Sequence, residues 1–457
     1  MANELLIRLY DVGLGDCIYV RIPGKTAKTE DAFHMLIDCG TWSEEKLLAA
    51  SIAQLEGELP AAANGRKRLD LVVVTHEHKD HIAGFDPKLF ANIDVGAVWM
   101  NCAMDPKHPQ AKKTRKLRRV AAAAMRGLEA LGPSLGPRAN ELLSVFEINN
   151  AGAMQTLRKT LLKGGPPTYV HAGETNETHG IKLHKAKIHV LSPELDFDHF
   201  YLGETVDRTL KGILGVAGLD AEDDTEDAAD QRPDEAAATP ATAVEPPLPR
   251  NISPATFRAL RARMQSNALA FAEMDGKLKN NSSVVLLIEW NQKRLLFVGD
   301  AEWHGAFKPG KMNGAWNVMW SERKGLLGKP VDFLKIGHHG SENSTPWDMG
   351  KGKATEASAI LDAILPLPKA GQAPRAQAVV STERGKYRTI PRGLLMTEIA
   401  RRVQGTRIYE PDLKGFKPKD PADFKDFEQE WLSKAQPLRT DFERIRKPNG
   451  CIDVIFR

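Results

Sequence analysis

Thr75-His76-Glu77-His78-Lys79-Asp80-His81 directly follows the apolar run Leu71–Val74 and sets three imidazoles and an interleaved aspartate within six residues. Imidazole nitrogen and carboxylate oxygen are the donors that divalent cations such as zinc or manganese take. A loop leaving a strand can point all four groups into one cavity, so His76, His78, Asp80 and His81 are predicted metal ligands. On a chain with 13 histidines, this spacing beside an aspartate does not read as an ordinary polar surface loop. Farther along, Asp300 ends the apolar run Leu295–Val298, and His338-His339 ends Phe333–Ile336. Neighbouring strand residues point to opposite faces. That argument puts Lys335 and His339 on one face and His338 on the other, and makes one of the two histidines a ligand.

The elements that must position these groups fall into two strand-rich halves. ELLIRLYDVG, DCIYVRIP, HMLIDCG, DLVVVTH and VGAVWM form the first. SVVLLIEW, RLLFVGD, VDFLKIGHHG, QAVVSTE, TRIYEP and CIDVIFR form the second, with a polar turn at Asn291-Gln292-Lys293-Arg294. Residues 111–131, 138–146, 153–163 and 255–279 read as helices, and PRGLLMTEIARRVQG has a helix's punctuation, Pro early and Gly at its end. The expected fold class is α/β: two packed sheets with helices outside and a large helical insertion. The expected divisions are a first half at 1–102, a mainly helical insertion at 103–280 and a second half at 281–457 with a C-terminal extension.

Charge is unevenly distributed. The 457 residues carry 63 Lys+Arg against 59 Asp+Glu, a net of +4. Residues 220–235 hold nine acids and one Arg, a net of −8 that leaves +12 on the rest. The surrounding stretch, 217–256, is rich in Ala and Pro and poor in large apolar residues, and reads as a disordered acidic linker. Residues 107–119 hold seven Lys/Arg and no acid. If 111–131 is one helix, Lys112, Arg115, Lys116 and Arg119 share a face; a solvated surface would read the same way. No apolar run approaches the ~20 residues of a membrane span. Four cysteines without a CxxC pair exclude a disulfide scaffold or thiolate zinc cage. With no secretory leader legible in MANELLIRLYDVG, the expected location is the cytoplasm.

The HxHxDH run after a strand resembles the metallo-β-lactamase superfamily, whose fold is a four-layer αββα sandwich. More of the chain is similar to one branch, the metallohydrolase domain of the ComEC competence protein and its soluble relatives. That likeness rests on Asp11-Val-Gly-Leu-Gly-Asp16, Leu36-Ile-Asp38-Cys-Gly40, the HxHxDH run, Asn280-Asn281-Ser282-Ser283 leading to Phe297-Val-Gly-Asp300-Ala-Glu302, and Leu334-Lys-Ile-Gly-His338-His339-Gly-Ser341. It covers roughly residues 1–100 and 280–410. The resemblance implies two divalent metals, with Asp300 bridging them, His339 as ligand and His338 as a phosphate contact or acid. The superfamily's third histidine of the first metal site is replaced here by the Asn280–Ser283 stretch. The first site would then keep His76, His78 and Asp300, with uneven metal affinity. Asp11, Asp16 and Asp38 are expected to orient ligand histidines, although turn chemistry explains Asp16 equally well. His304 lies within reach of the cavity but reads better as structural.

Such a site suits hydrolysis, because divalent cations lower the pKa of bound water and neutralise the oxygens of a phosphodiester. The expected activity is a metal-dependent phosphodiesterase, a nuclease on DNA, with Asp80 and His338 as catalytic groups. Alternatives are hydrolysis of a small phosphodiester or choline-phosphate ester, and a non-catalytic or partner-regulated binding subunit. Candidate substrate contacts are Asn281, Lys335, Lys386 and Arg388, together with the basic run. A regulatory partner or protease would act at the acidic linker.

Overall fold

The computed structural model describes residues 4–26, 28–111, 114, 117, 121, 150–162, 165–203, 253, 270, 272–348, 355–383, 390–404 and 450–457. Twelve strands are described: β1 (Leu5–Tyr10), β2 (Cys17–Ile22), β3 (Phe33–Cys39), β4 (Lys67–Val74), β5 (Ile93–Asn101), β6 (Thr168–Val170), β7 (Ala186–Ser192), β8 (Val285–Trp290), β9 (Lys293–Phe297), β10 (Phe333–Ile336), β11 (Gln377–Val380) and β12 (Cys451–Phe456). They build a seven-stranded sheet, β12-β1-β2-β3-β4-β5-β6, and a five-stranded sheet, β11-β10-β9-β8-β7. Both are mixed. Strands β3 to β6 run parallel, as do β9 to β11, while the remaining pairs are antiparallel.

Alternation along the strands decides the layers. Leu5, Ile7 and Leu9 of β1 join Leu71 and Val73 of β4 in a core shared with Leu286 and Ile288 of β8 and Leu295 and Phe297 of β9. The opposite faces are also apolar, as expected for strands covered on both sides. On the larger sheet, Val72 and Val74 pack against Leu48, Ile52 and Leu55 of helix α1 (Glu45–Glu58). Leu48, Ile52 and Leu55 recur at helical spacing, so α1 presents one apolar stripe. Met154 of the short helix α3 (Ala151–Gln155) lies under the same face; α2 (Lys79–Ile82) is a single turn after β4. On the smaller sheet, Leu296, Leu334 and Ile336 pack against α4 (Ala315–Leu327), α5 (Glu356–Ile364) and α6 (Gly393–Ala400). Thr355 starts α5 with a capping box to Ser358. The result is the expected order of layers: helix, sheet, sheet, helix.

Two differences from the sequence reading concern residues 103–280. Strands β6 and β7 lie inside the supposed insertion, yet β6 extends the larger sheet and β7 closes the smaller one against β8. In β7, Ile188 and Val190 face the core while Lys187 and His189 alternate with them. Lys187 and His189 interrupt the apolar run of this edge strand, which hid it. The helix expected over 153–163 begins at Ala151 and continues as a π-turn over Thr156–Thr160. Helix is described over 272–281, two residues past the end of the expected 255–279. Cys102, Phe197, Tyr201, Leu278 and Val318 form a smaller core that fixes this region to α4. The helix at 138–146, most of 111–131, the linker at 217–256 apart from residue 253, and the strand TRIYEP lie outside the described residues.

Candidate metal centre

Parallel strands bring their carboxyl ends together, and the loops beyond β3, β4, β9 and β10 carry the conspicuous polar residues. At the exit of β4, Thr75 donates its N–H to Asp38 Oδ1 at 2.8 Å and its hydroxyl to Asp38 Oδ2 at 2.6 Å. Its carbonyl accepts from Val284 N at 3.0 Å and from Asn101 Nδ2 at 2.9 Å. Thr75 thus ties both sheets at the point where the histidine run begins. The next turn, α2, carries Asp80 and His81 and packs so tightly that a Cβ on Gly40 would overlap the Asp80–His81 peptide. Glycine at 40 is required by that approach rather than by a turn.

Five side chains converge there, each under 8% exposed: His76, Asp80, His81, Asp300 and His339. Their ligand atoms form two overlapping groups, His76–His81–Asp300 and Asp80–His81–His339, each within 4.8 Å. His81 Nε2 lies 3.3 Å from Asp300 Oδ1 and 3.7 Å from Asp80 Oδ2. His76 Nε2 lies 3.6 Å from Asp300 Oδ2, and His339 Nε2 lies 2.7 Å from Asp80 Oδ2. Behind them, His81 Nδ1 donates to Asp38 Oδ2 at 2.8 Å and His339 Nδ1 donates to the Ser381 carbonyl at 2.8 Å. Both bonds put the proton on Nδ1 and turn Nε2 toward the cluster, the usual support for a ligand imidazole.

Electrostatics point the same way. Burial works against charge on Asp80 and Asp300, yet the adjacent His81, with His339 for Asp80, holds both carboxyls well below the usual range. Burial also opposes charge on His81, but Asp300, Asp80 and Asp38 together drive its imidazole well up. Burial and then His81 push His76 well down, and burial and Lys279 push His78 down to about 4.

The structure places the remaining sequence candidates as follows. His78 is half-buried with its Nδ1 2.9 Å from His76 Nε2, and His81 is the imidazole grouped with His76 and Asp300. Asp38 orients His81, whereas Asp16 pairs with Lys335 and Asp11 accepts from Gly13 N at 3.2 Å in the loop after β1. Lys335 is 1% exposed and its ammonium lies 2.8 Å from Asp16, an interior ion pair rather than a substrate contact. Asn281 is also interior, accepting from the backbone of Glu302 and Ala315 and donating to the Lys277 carbonyl. The strand-face argument for the histidine pair does not apply. β10 stops at Ile336, and His338 and His339 follow in a turn with φ of 44° and 52°. In that turn His339 reaches Asp80, while the half-exposed His338 gives its N–H to Asp300 Oδ1 at 3.1 Å. Lys386, Arg388, Lys112, Arg115, Lys116 and Arg119 lie outside the described residues.

Sequence reasoning overlooked Thr75 and Ser283. Ser283 Oγ accepts from Asp300 N at 3.1 Å and lies 3.4 Å from His76 Nδ1. A threonine before a histidine run and a serine before a strand are ordinary, and only the fold makes them neighbours of the ligands.

These residues fit a divalent cation. The Nε2 atoms of His78 and His81 are buried without a hydrogen-bond partner, and His81 Nε2 faces two carboxylates. Asp16 is paired with Lys335 and Glu302 with His304, which leaves Asp38, Asp80 and Asp300 as the buried acids around His81. Such an arrangement demands positive charge, and the donors are the nitrogen and oxygen types suited to zinc or manganese.

Comparison with known proteins agrees. A family model for the metallo-β-lactamase superfamily matches residues 11–91, which hold the Asp11–Asp16 loop, Asp38 and the histidine run. No curated protein matches the chain. Solved structures that resemble it include the MIM-2 metallo-β-lactamase, at 16% identity, and the Rm3 metallo-β-lactamase, at 14%. Each match covers 40% of this chain and 50% of the other, with a TM-score of 0.16. The chain therefore spans half the length of these two structures, and neither likeness carries weight below. Among the described residues, no helix is long and apolar enough to cross a membrane. The matched residues hold His76, Asp80 and His81 of the donor cluster, while Asp300 and His339 lie beyond them; over that stretch the chain is similar to the metallo-β-lactamase superfamily.

Proposed function

We propose that this protein is a metal-dependent phosphodiesterase, a nuclease acting on DNA. The observation that carries the reading is the pair of buried donor groups sharing His81, with Asp300 in one and Asp80 in the other. Two divalent cations held there, zinc or manganese, would supply Lewis acidity and a nucleophile near neutral pH. His76 and Asp300 would hold one and Asp80 and His339 the other, with His81 completing one of the two, because its Nε2 has a single lone pair and its Nδ1 proton is held by Asp38. The chain's own contribution is preorganisation: Asp38, Thr75 and the Ser381 carbonyl fix the ring orientations before substrate arrives. His338, half-exposed beside Asp300, is the side chain best placed to meet a substrate oxygen. The basic run at 107–119 supports a polyanionic substrate, since lysines and arginines neutralise backbone phosphates.

The test is cleavage of plasmid, linear and single-stranded DNA with Zn²⁺, Mn²⁺ or Mg²⁺, beside an Asp80→Ala control. Metal-dependent cleavage that the substitution abolishes is the expected outcome. Intact DNA together with hydrolysis of bis-p-nitrophenyl phosphate would shift the reading to a small phosphodiester. Inertness toward both, with metal bound, would overturn the assignment as a phosphodiesterase.

A further inference from the structure

Two residues beyond Asp300, Glu302 is buried and carries four polar partners. Its Oε1 accepts from Asn280 Nδ2 at 2.9 Å and faces His338 Nδ1 at 3.5 Å. Its Oε2 lies 2.7 Å from His304 Nε2 and 3.3 Å from Asn281 Nδ2. Asn280 and Asn281 are buried, but the side chains of His338 and His304 keep 27% and 22% exposure. One fixed carboxylate therefore pairs closely with His304 and faces His338, whose buried Nδ1 makes no hydrogen bond and has Glu302 Oε1 3.5 Å away; both rings keep an edge toward solvent. A buried carboxylate is costly unless paired, and the two asparagines alone would leave it short of compensating charge.

The backbone adds a second constraint. His338 and His339 are consecutive left-handed residues, a conformation that side chains other than glycine rarely adopt. It turns His339 onto Asp80 and leaves the His338 ring between two carboxylates, Nδ1 toward Glu302 and Nε2 4.0 Å from Asp300 Oδ2. Gly299-Asp300-Ala301-Glu302 thus supplies two acids with different tasks, Asp300 in the ligand cluster and Glu302 outside it.

We propose that Glu302 is a positioning residue for His338: it takes the Nδ1–H and holds the ring so that Nε2 meets an oxygen of the substrate phosphodiester. His304 serves as the second clamp on the same carboxylate. The identity of that oxygen's owner rests on the phosphodiesterase reading; the orientation of the ring does not.

Two measurements decide it. In protein labelled with ¹⁵N-histidine, with His338 assigned by its loss in His338→Gln, Nδ1 of the wild-type ring is expected to be protonated. That proton or its hydrogen-bonded shift is expected to be lost in Glu302→Gln. An unprotonated Nδ1 in the wild type, or a signal indifferent to Glu302→Gln, overturns the proposal, and the wild-type spectrum decides even if the variant does not fold. In hydrolysis of bis-p-nitrophenyl phosphate, Glu302→Gln should lower kcat about 10- to 100-fold with bound metal unchanged, the range for residues that orient a functional imidazole. It should cost little more when His338 is already Gln. A full additional loss in that background, or a parallel loss of metal, would assign Glu302 a structural role. If the wild type hydrolyses no phosphodiester, the functional reading fails while the spectrum still tests the Glu302–His338 unit.

Discussion

Each ligand imidazole is specified by what stands behind it. Asp38 illustrates this: one carboxylate accepts from the Thr75 N–H, the Thr75 hydroxyl and His81 Nδ1. Because the carboxylate accepts at Nδ1, the lone pair of a neutral His81 sits on Nε2, toward Asp80 and Asp300. Asp38→Asn keeps the size but sets an amide that can act as donor against the Nδ1–H. It is expected to weaken metal binding about 10- to 100-fold, read by competition with a chromogenic chelator. Unchanged affinity would mean that α2 alone orients His81. Asp38 itself has φ of 55°, so the acid is delivered by a backbone turn at the end of β3.

At the scale of elements, buried polar residues away from the centre hold strands in register. His34 on β3 is 0% exposed, with Nδ1 2.7 Å from Tyr19 Oη on β2 and Nε2 3.0 Å from the Thr29 carbonyl. The neutral ring with the proton on Nε2 satisfies both, and burial lowers the imidazole's pKa to about 4 from 6.5. The unfolded chain therefore binds a proton first as pH falls. His34 adds no pH dependence above pH 6.5 and destabilises progressively from there down to about pH 4, by about 3 kcal/mol in all. Urea midpoints measured through that window should fall less steeply in His34→Gln than in the wild type. Equal slopes would show that the ring is protonated in the folded state.

For the whole molecule, the two sheets are joined by an apolar interior and, at one end, by charge. Lys335 on β10 and Asp16 in the β1–β2 loop are 1% exposed each and meet at 2.8 Å. Burial opposes ionisation of Asp16, but Lys335 and the nearby His81 hold its carboxyl below the usual range. Removing one partner leaves the other charged and unpaired, so Lys335→Met should cost about 3–5 kcal/mol in denaturant unfolding. Asp16→Asn combined with Lys335→Met should recover most of it. If the double variant is as unstable as the single, the pair serves packing rather than charge compensation.

Much of this was legible without coordinates. Apolar runs and their alternation determined ten of the described strands, because burying a sheet face requires a period of two, and local spacing determined the histidine run. The order of layers followed, since two strand-rich halves with amphipathic helices have few ways to bury both faces. What sequence could not decide was anything set by approach between distant segments. β7 was missed because Lys187 and His189 break its apolar run. His81 lies with His76 and Asp300, its ring held by Asp38, 43 residues away. Lys335 and Asn281 resembled substrate contacts until folding placed them inside, where a charge must find a partner and an amide must satisfy the backbone. Residue types and short spacings determine which chemistry is available; the packing of two sheets decides which atoms meet, because orientation and burial are properties of neighbours that the chain brings together only on folding.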